Sequence, residues 1–117
     1  MSVLPKYDFV ISFGQKPNIK NKVYIETTAR DGESSIDTDF DIEYLRNMFV
    51  KNGIPSKISH NAGTSYCNSI YRSGLCYIAE HKLKAKMVFL HVPFAKNIED
   101  MDLFRKGIFE TISELVK

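Results

Sequence analysis

The chain has 117 residues, 44% apolar and 26% charged, which is the composition of one folded domain and excludes disordered or collagen-like classes. Sixteen Lys and Arg against 14 Asp and Glu leave a net charge of +2, too balanced to argue for a nucleic-acid or membrane surface. No apolar run approaches the roughly 18 residues that a membrane span needs.

Residues 8–13, Asp-Phe-Val-Ile-Ser-Phe, are short and mostly apolar, and Gly14 follows. They predict a buried parallel strand stopped by the glycine. A turn with Pro17 and Asn18 leads to residues 22–28, whose β-branched and aromatic content predicts a second strand. The polar stretch 30–38, with Gly32 and two serines, reads as a loop. Residues 39–52 predict a helix with Ile42, Leu45, Met48 and Phe49 on one face, closed by Gly53 with Pro55 shortly after. A short strand is expected over 54–59. A second helix is expected over 64–81, with Thr64 or Ser65 as cap and Ile70, Tyr71, Gly74 and Ile78 along one stripe. Residues 86–92 predict a buried strand stopped by Pro93, and 97–117 a last helix with Met101, Phe104, Ile108, Ile112 and Leu115 inward. This order predicts an α/β layer fold with a mainly parallel sheet, formed by residues 1–117 as one domain. Ligands in such sheets sit beyond the carboxyl ends of the strands, here after Phe13, Ile25, Ser59 and Leu90.

Polar residues gather at those ends: Gln15, Glu26, the stretch 61–68 and His91. Cys67 falls in the first turn of its predicted helix, where the positive end of the dipole favours a thiolate. Ala62 and Gly63 leave room for a carbonyl against backbone N–H groups. A thiolate attacking a carbonyl needs a group that takes its proton and returns it to the leaving amine, and histidine suits both tasks. A carboxylate on the other ring nitrogen fixes the tautomer. Cys67, His91 and Glu26 supply these three residue types. Each also has a plain structural reading: a small core thiol, a hydrogen-bonded core histidine and a solvent-facing glutamate. Cys76, mid-helix beside Leu75, reads as packing. Two cysteines make neither a disulfide scaffold nor a zinc cluster. The first eight residues are unlike a signal peptide, so the expected compartment is the cytoplasm with both thiols reduced.

The local strings narrow these alternatives. Asn61-Ala62-Gly63-Thr64-Ser65-Tyr66-Cys67-Asn68, followed by Tyr71, resembles the cysteine motif of the pyroglutamyl peptidase I family, also called pyrrolidone-carboxylate peptidases. Phe89-Leu90-His91-Val92-Pro93 resembles the family's histidine motif, and residues 23–29 and 8–15 look like the segments with its glutamate and its Gly-Gln turn. The resemblance implies Cys67 as nucleophile, His91 as general base and acid, Glu26 as orienting carboxylate, and Gln15 beside the pyroglutamyl ring. It implies hydrolysis of an N-terminal pyroglutamyl peptide bond through a thioester, with no metal or organic cofactor; the balanced charge separately argues for no nucleic acid and no membrane as partner. The implied fold is a three-layer α/β/α domain with a mainly parallel or mixed sheet, shortened relative to the family, whose members are nearly twice as long. The family's lactam-covering aromatic loop and an arginine-bearing stretch have no match here, and Arg30 is not at that arginine's position. The resemblance therefore implies reduced activity, and a second copy or a partner chain over the open part of the sheet. The alternatives are a non-catalytic remnant serving as a binding or assembly module, and one half of a split enzyme.

Overall fold

Helices on both faces of a four-stranded sheet explain why the last strand is apolar throughout: Met87 to His91 are all buried. The computed structural model describes residues 9–31, 34–60 and 66–115. In chain order the elements are β1 (Phe9–Lys16), β2 (Val23–Glu26), β3 (Thr28–Asp31), β4 (Ser34–Asp37), α1 (Ile42–Lys51), β5 (Ser56–Ser59), α2 (Tyr66–Glu80), β6 (Lys86–Pro93), a 3-10 turn (Ala95–Asn97) and α3 (Met101–Leu115). The main sheet has the order β1-β6-β2-β5, and β3 and β4 form a separate antiparallel pair. β1 runs parallel to β6 and β2 parallel to β5, while β2 and β6 are antiparallel.

Strand alternation sorts the side chains into two cores. Val23, Ile25, Val88 and Leu90 face α1 and α3, where Leu45, Phe49, Ile54 and Leu115 complete one cluster. Met87 and Phe89 face α2, packed with Tyr71, Leu75 and Ala29 of β3. The result is the expected three-layer α/β/α arrangement around a mainly parallel, mixed sheet. Asp41 caps α1 by accepting the Tyr44 N–H at 3.1 Å. Gly53, at φ +84°, takes the left-handed conformation that ends the helix. The Asn52 side chain then donates to Thr111 Oγ1 at 3.0 Å, tying that end to α3.

Several expectations change. β1 does not stop at Gly14; it continues to Lys16 because Gln15 and Lys16 pair with Val92 and Pro93. It is also an end strand rather than a buried one, leaving Val10 43% and Phe13 47% exposed. Pro93 ends β6 from inside the strand. The expected loop 30–38 contains most of the hairpin β3–β4, in which Ala29 and Ile36 pack toward α2 while Arg30, Ser34 and Ser35 face solvent. Because β2 and β5 run opposite to β1 and β6, the carboxyl ends of the strands do not gather on one edge. The helix caps Thr64 and Ser65, the Ala62-Gly63 stretch, residues 1–8, Gly32 and residues 116–117 lie outside the described residues.

Candidate active site

Register decides which side chains meet on the α2 face. In the β2–β6 pair Tyr24 lies opposite His91 and Glu26 opposite Phe89, so Glu26 and His91 are diagonal neighbours on one face. Glu26 Oε2 accepts from His91 Nδ1 at 2.7 Å, with the glutamate 0% and the histidine 3% exposed. A carboxylate only accepts, so Nδ1 carries the proton and Nε2 is left for another partner. The other oxygen, Glu26 Oε1, is buried with no hydrogen-bond partner among the described residues.

Neighbouring groups fix this pair. Tyr71 Oη donates to the Glu26 carbonyl at 2.8 Å. Burial, more than any other influence, pushes the Tyr71 phenol well above its ordinary value, so it remains a neutral donor. Phe89 tilts against His91, with ring centroids 5.2 Å apart, and against Tyr71 at 5.8 Å. Thr38, just after the hairpin, donates its hydroxyl to the Met87 carbonyl of β6 and accepts the Phe40 N–H at 3.1 Å.

Cys67 reaches the same patch from α2. It is half-buried and unbridged, in the first turn of the helix. An ideal Cβ built on Gly14 would lie 2.8 Å from Cys67 Sγ and 2.9 Å from the Phe89 ring. The thiol therefore rests against the backbone of Gly14, and Gly14 is the residue in register with His91. Glycine is required here for close approach, not for a turn. Its neighbour Gln15 is turned to the other face, where its side chain lines a groove with Phe13, Val92, Phe104 and Ile108. The structure thus pairs Glu26 with His91, seats Cys67 against Gly14, the strand neighbour of His91, and turns the Gln15 side chain to the other face.

Gly14, Asn68 and Tyr71 were not singled out as site residues from the sequence. Gly14 reads there as a strand stop, Tyr71 as part of the apolar stripe of its helix, and Asn68 as one residue of the cysteine string, so no local signal marks their place in the site. Lys16, Lys22 and Lys57 stand 5.6–5.9 Å from the Tyr24 ring, a cationic rim beside His91. Among the described residues, no three His, Cys, Asp or Glu side chains converge as a metal site. None of the described helices is long and apolar enough to cross a membrane.

A three-layer α/β domain of this topology is the fold of solved pyroglutamyl peptidases. The chain superposes on pyroglutamyl peptidase I from Bacillus amyloliquefaciens with a TM-score of 0.75 at 20% identity, covering 89% of this chain and 65% of that one. For pyrrolidone carboxyl peptidase from Fervidobacterium islandicum the values are 0.79 and 17%, covering 92% and 68%. In sequence, the chain is 37% identical over 81 residues to the pyrrolidone-carboxylate peptidase of Brachyspira hyodysenteriae, covering 69% of this chain and 40% of that protein. It is 32% identical over 109 residues to that of Thermosipho melanesiensis, covering 85% and 50%. The chain thus spans half or less of the length of these two curated relatives. The family model described as pyroglutamyl peptidase matches residues 15–105, and the chain belongs to that family.

Proposed function

We propose that the chain is a cysteine peptidase-like hydrolase that removes N-terminal pyroglutamate from peptides, with Cys67 as nucleophile, His91 as base and acid, and Glu26 as the orienting carboxylate. The observation that carries this reading is the buried 2.7 Å Glu26–His91 bond beside a thiol seated on Gly14, the residue in register with His91. His91 Nε2 takes the thiol proton as Sγ attacks the pyroglutamyl carbonyl carbon. The proton passes to the leaving amine as the C–N bond breaks, leaving a thioester. Water then attacks, giving its proton to His91, and the C–S bond breaks to release pyroglutamate and restore the thiol. The charge on Glu26 favours the imidazolium formed in each half. The names of the relatives, pyrrolidone-carboxylate peptidases, support the substrate. Strand alternation argues against the Gln15 side-chain amide as a lactam contact, so any part Gln15 plays falls to its backbone.

The end strand β1, with Val10 and Phe13 exposed, is read as the surface on which a second copy associates, since symmetric dimers are the commonest assemblies. The unbridged thiols fit a reducing, cytoplasmic setting.

The test is hydrolysis of a pyroglutamyl arylamide by wild type, Cys67→Ala and His91→Ala. Release that falls about 10²-fold or more in both variants is expected. Turnover that survives Cys67→Ala sinks the proposal.

A further inference from the structure

Asn68 follows Cys67 directly and is 6% exposed, a polar amide inside the protein. Both of its polar atoms are committed to one residue of another element. The Arg30 N–H donates to Asn68 Oδ1 at 2.8 Å, and Asn68 Nδ2 donates to the Arg30 carbonyl at 2.8 Å. The side chain thus acts like a missing strand rung against β3. An amide paired with both backbone groups of one residue has little freedom, because any shift of the helix end stretches both bonds.

The strand it grips is itself held. β3 pairs with β4 through Thr28 to Asp31, and Thr28 Oγ1 donates to Asp37 Oδ1 at 2.7 Å. Ala29, next to Arg30, is fully buried in the cluster with Tyr71 and Phe89. One residue earlier on the same turn, Cys67 Sγ packs beside Gly14 and Phe89, with no room for one more methyl group. The first turn of α2 is therefore held at two points, by Cys67 against Gly14 and Phe89 and by the Asn68 amide on β3, and Asn68 is its polar tie.

We propose that Asn68 is a positioning residue for Cys67: it ties the first turn of α2 to the backbone of β3 at Arg30 and so keeps the thiol against Gly14, beside His91. This rests on the reading of Cys67 and His91 as a working pair. It makes the hairpin β3–β4 part of the site, although no hairpin side chain is assigned to the chemistry.

The test uses Cys76 as an internal standard, since it lies on the same helix and is also half-buried and unbridged. Alkylation of each thiol by a limiting reagent is followed by mass mapping in wild type, Asn68→Ala, His91→Ala and the double variant. Cys67 is expected to react faster than Cys76 in wild type. Asn68→Ala is expected to slow Cys67 about tenfold, leave Cys76 unchanged and unprotect the Arg30 amide to hydrogen exchange, since misplacement on the ångström scale costs reactivity steeply. In the His91→Ala background the same substitution should change Cys67 less than twofold. A purely structural role would slow Cys67 equally in both backgrounds, and that result overturns the proposal. So does a folded Asn68→Ala whose Cys67 reacts like wild type. If Asn68→Ala does not fold, Asn68→Asp keeps the acceptor for the Arg30 N–H and loses the donor; wild-type Cys67 reactivity in that variant also overturns it. A wild-type Cys67 no faster than Cys76 defeats the catalytic reading together with this one, whereas a fast Cys67 indifferent to Asn68 defeats this one alone.

Discussion

Gly14→Ala adds a single methyl group at the point where β1, α2 and β6 meet. An ordinary Cβ contact is 3.4–4 Å, and the new atom would stand 2.8 Å from Cys67 Sγ and 2.9 Å from Phe89 Cε1 and Cζ. Neighbours must withdraw by about 0.6 Å, and the two obstacles differ in how easily they yield. Phe89 is 2% exposed and wedged between Tyr71 and His91, so its ring has little room to move. Cys67 is half-buried on a helix end, so the thiol takes most of the displacement. Overpacking of this kind costs about 1–3 kcal/mol. Replacing glycine by alanine inside a strand returns about 0.5–1 kcal/mol through backbone entropy. The net expectation is a folded protein destabilised by about 1–2 kcal/mol, read by urea denaturation at unchanged m-value. Cys67 alkylation should fall by about tenfold or more while Cys76 stays as it was, because a shift on the ångström scale disrupts near-attack geometry. A variant as stable as wild type with unchanged Cys67 reactivity would show that the thiol does not rest on Gly14, and the placement of Cys67 beside His91 would fall with it.

Three other outcomes follow from the same geometry. Glu26→Gln keeps the shape beside His91 but removes the charge that stabilises the imidazolium; arylamide kcat should drop about 10²–10⁴-fold with native circular dichroism, and full retained activity rules out the role given to Glu26. Tyr71→Phe deletes the 2.8 Å bond to the Glu26 carbonyl and should cost about 1 kcal/mol in denaturant titrations; no loss at all would mean that the bond contributes nothing to stability. The same phenol gives a pH signature. Its folded value is raised above the ordinary 10.0, so its contribution is complete below that pH and is lost as pH rises toward the folded value. Wild type should therefore lose stability above about pH 10 more steeply than Tyr71→Phe, and parallel curves would contradict the burial of a neutral phenol.

Much of the layer order was readable along the chain, because local pattern carries it. The 3.6-residue stripes of α1, α2 and α3 and the apolar run of β6 are properties of neighbours in sequence, and the helices and strands appear where those periods occur. Gly53 ended α1 as expected, since a positive φ at a helix end is a local demand. The strings around Cys67 and His91 marked the family for the same reason. The hairpin β3–β4 was not readable: its four-residue strands are polar except for Ala29 and Ile36, and two inward side chains give no period until α2 is there to receive them.

The extent and exposure of β1 were likewise settled by its partner. Pairing with β6 carries it past Gly14, and its place at the end of the sheet leaves Val10 and Phe13 in solvent. Residue types at Glu26, Cys67 and His91 named a candidate chemistry, but type says nothing about distance. The diagonal register of β2 on β6 sets the 2.7 Å bond between Glu26 and His91, and the seat of Cys67 on Gly14 comes from a helix crossing a strand more than 50 residues away in sequence. The same register removed the Gln15 side chain from the patch, since one residue along a strand is the opposite face. Sequence determined which groups this protein has and where its helices and its apolar strands form. Strand order, direction and register decided which groups meet, because contacts between distant segments form only when the whole sheet and both helical layers close at once.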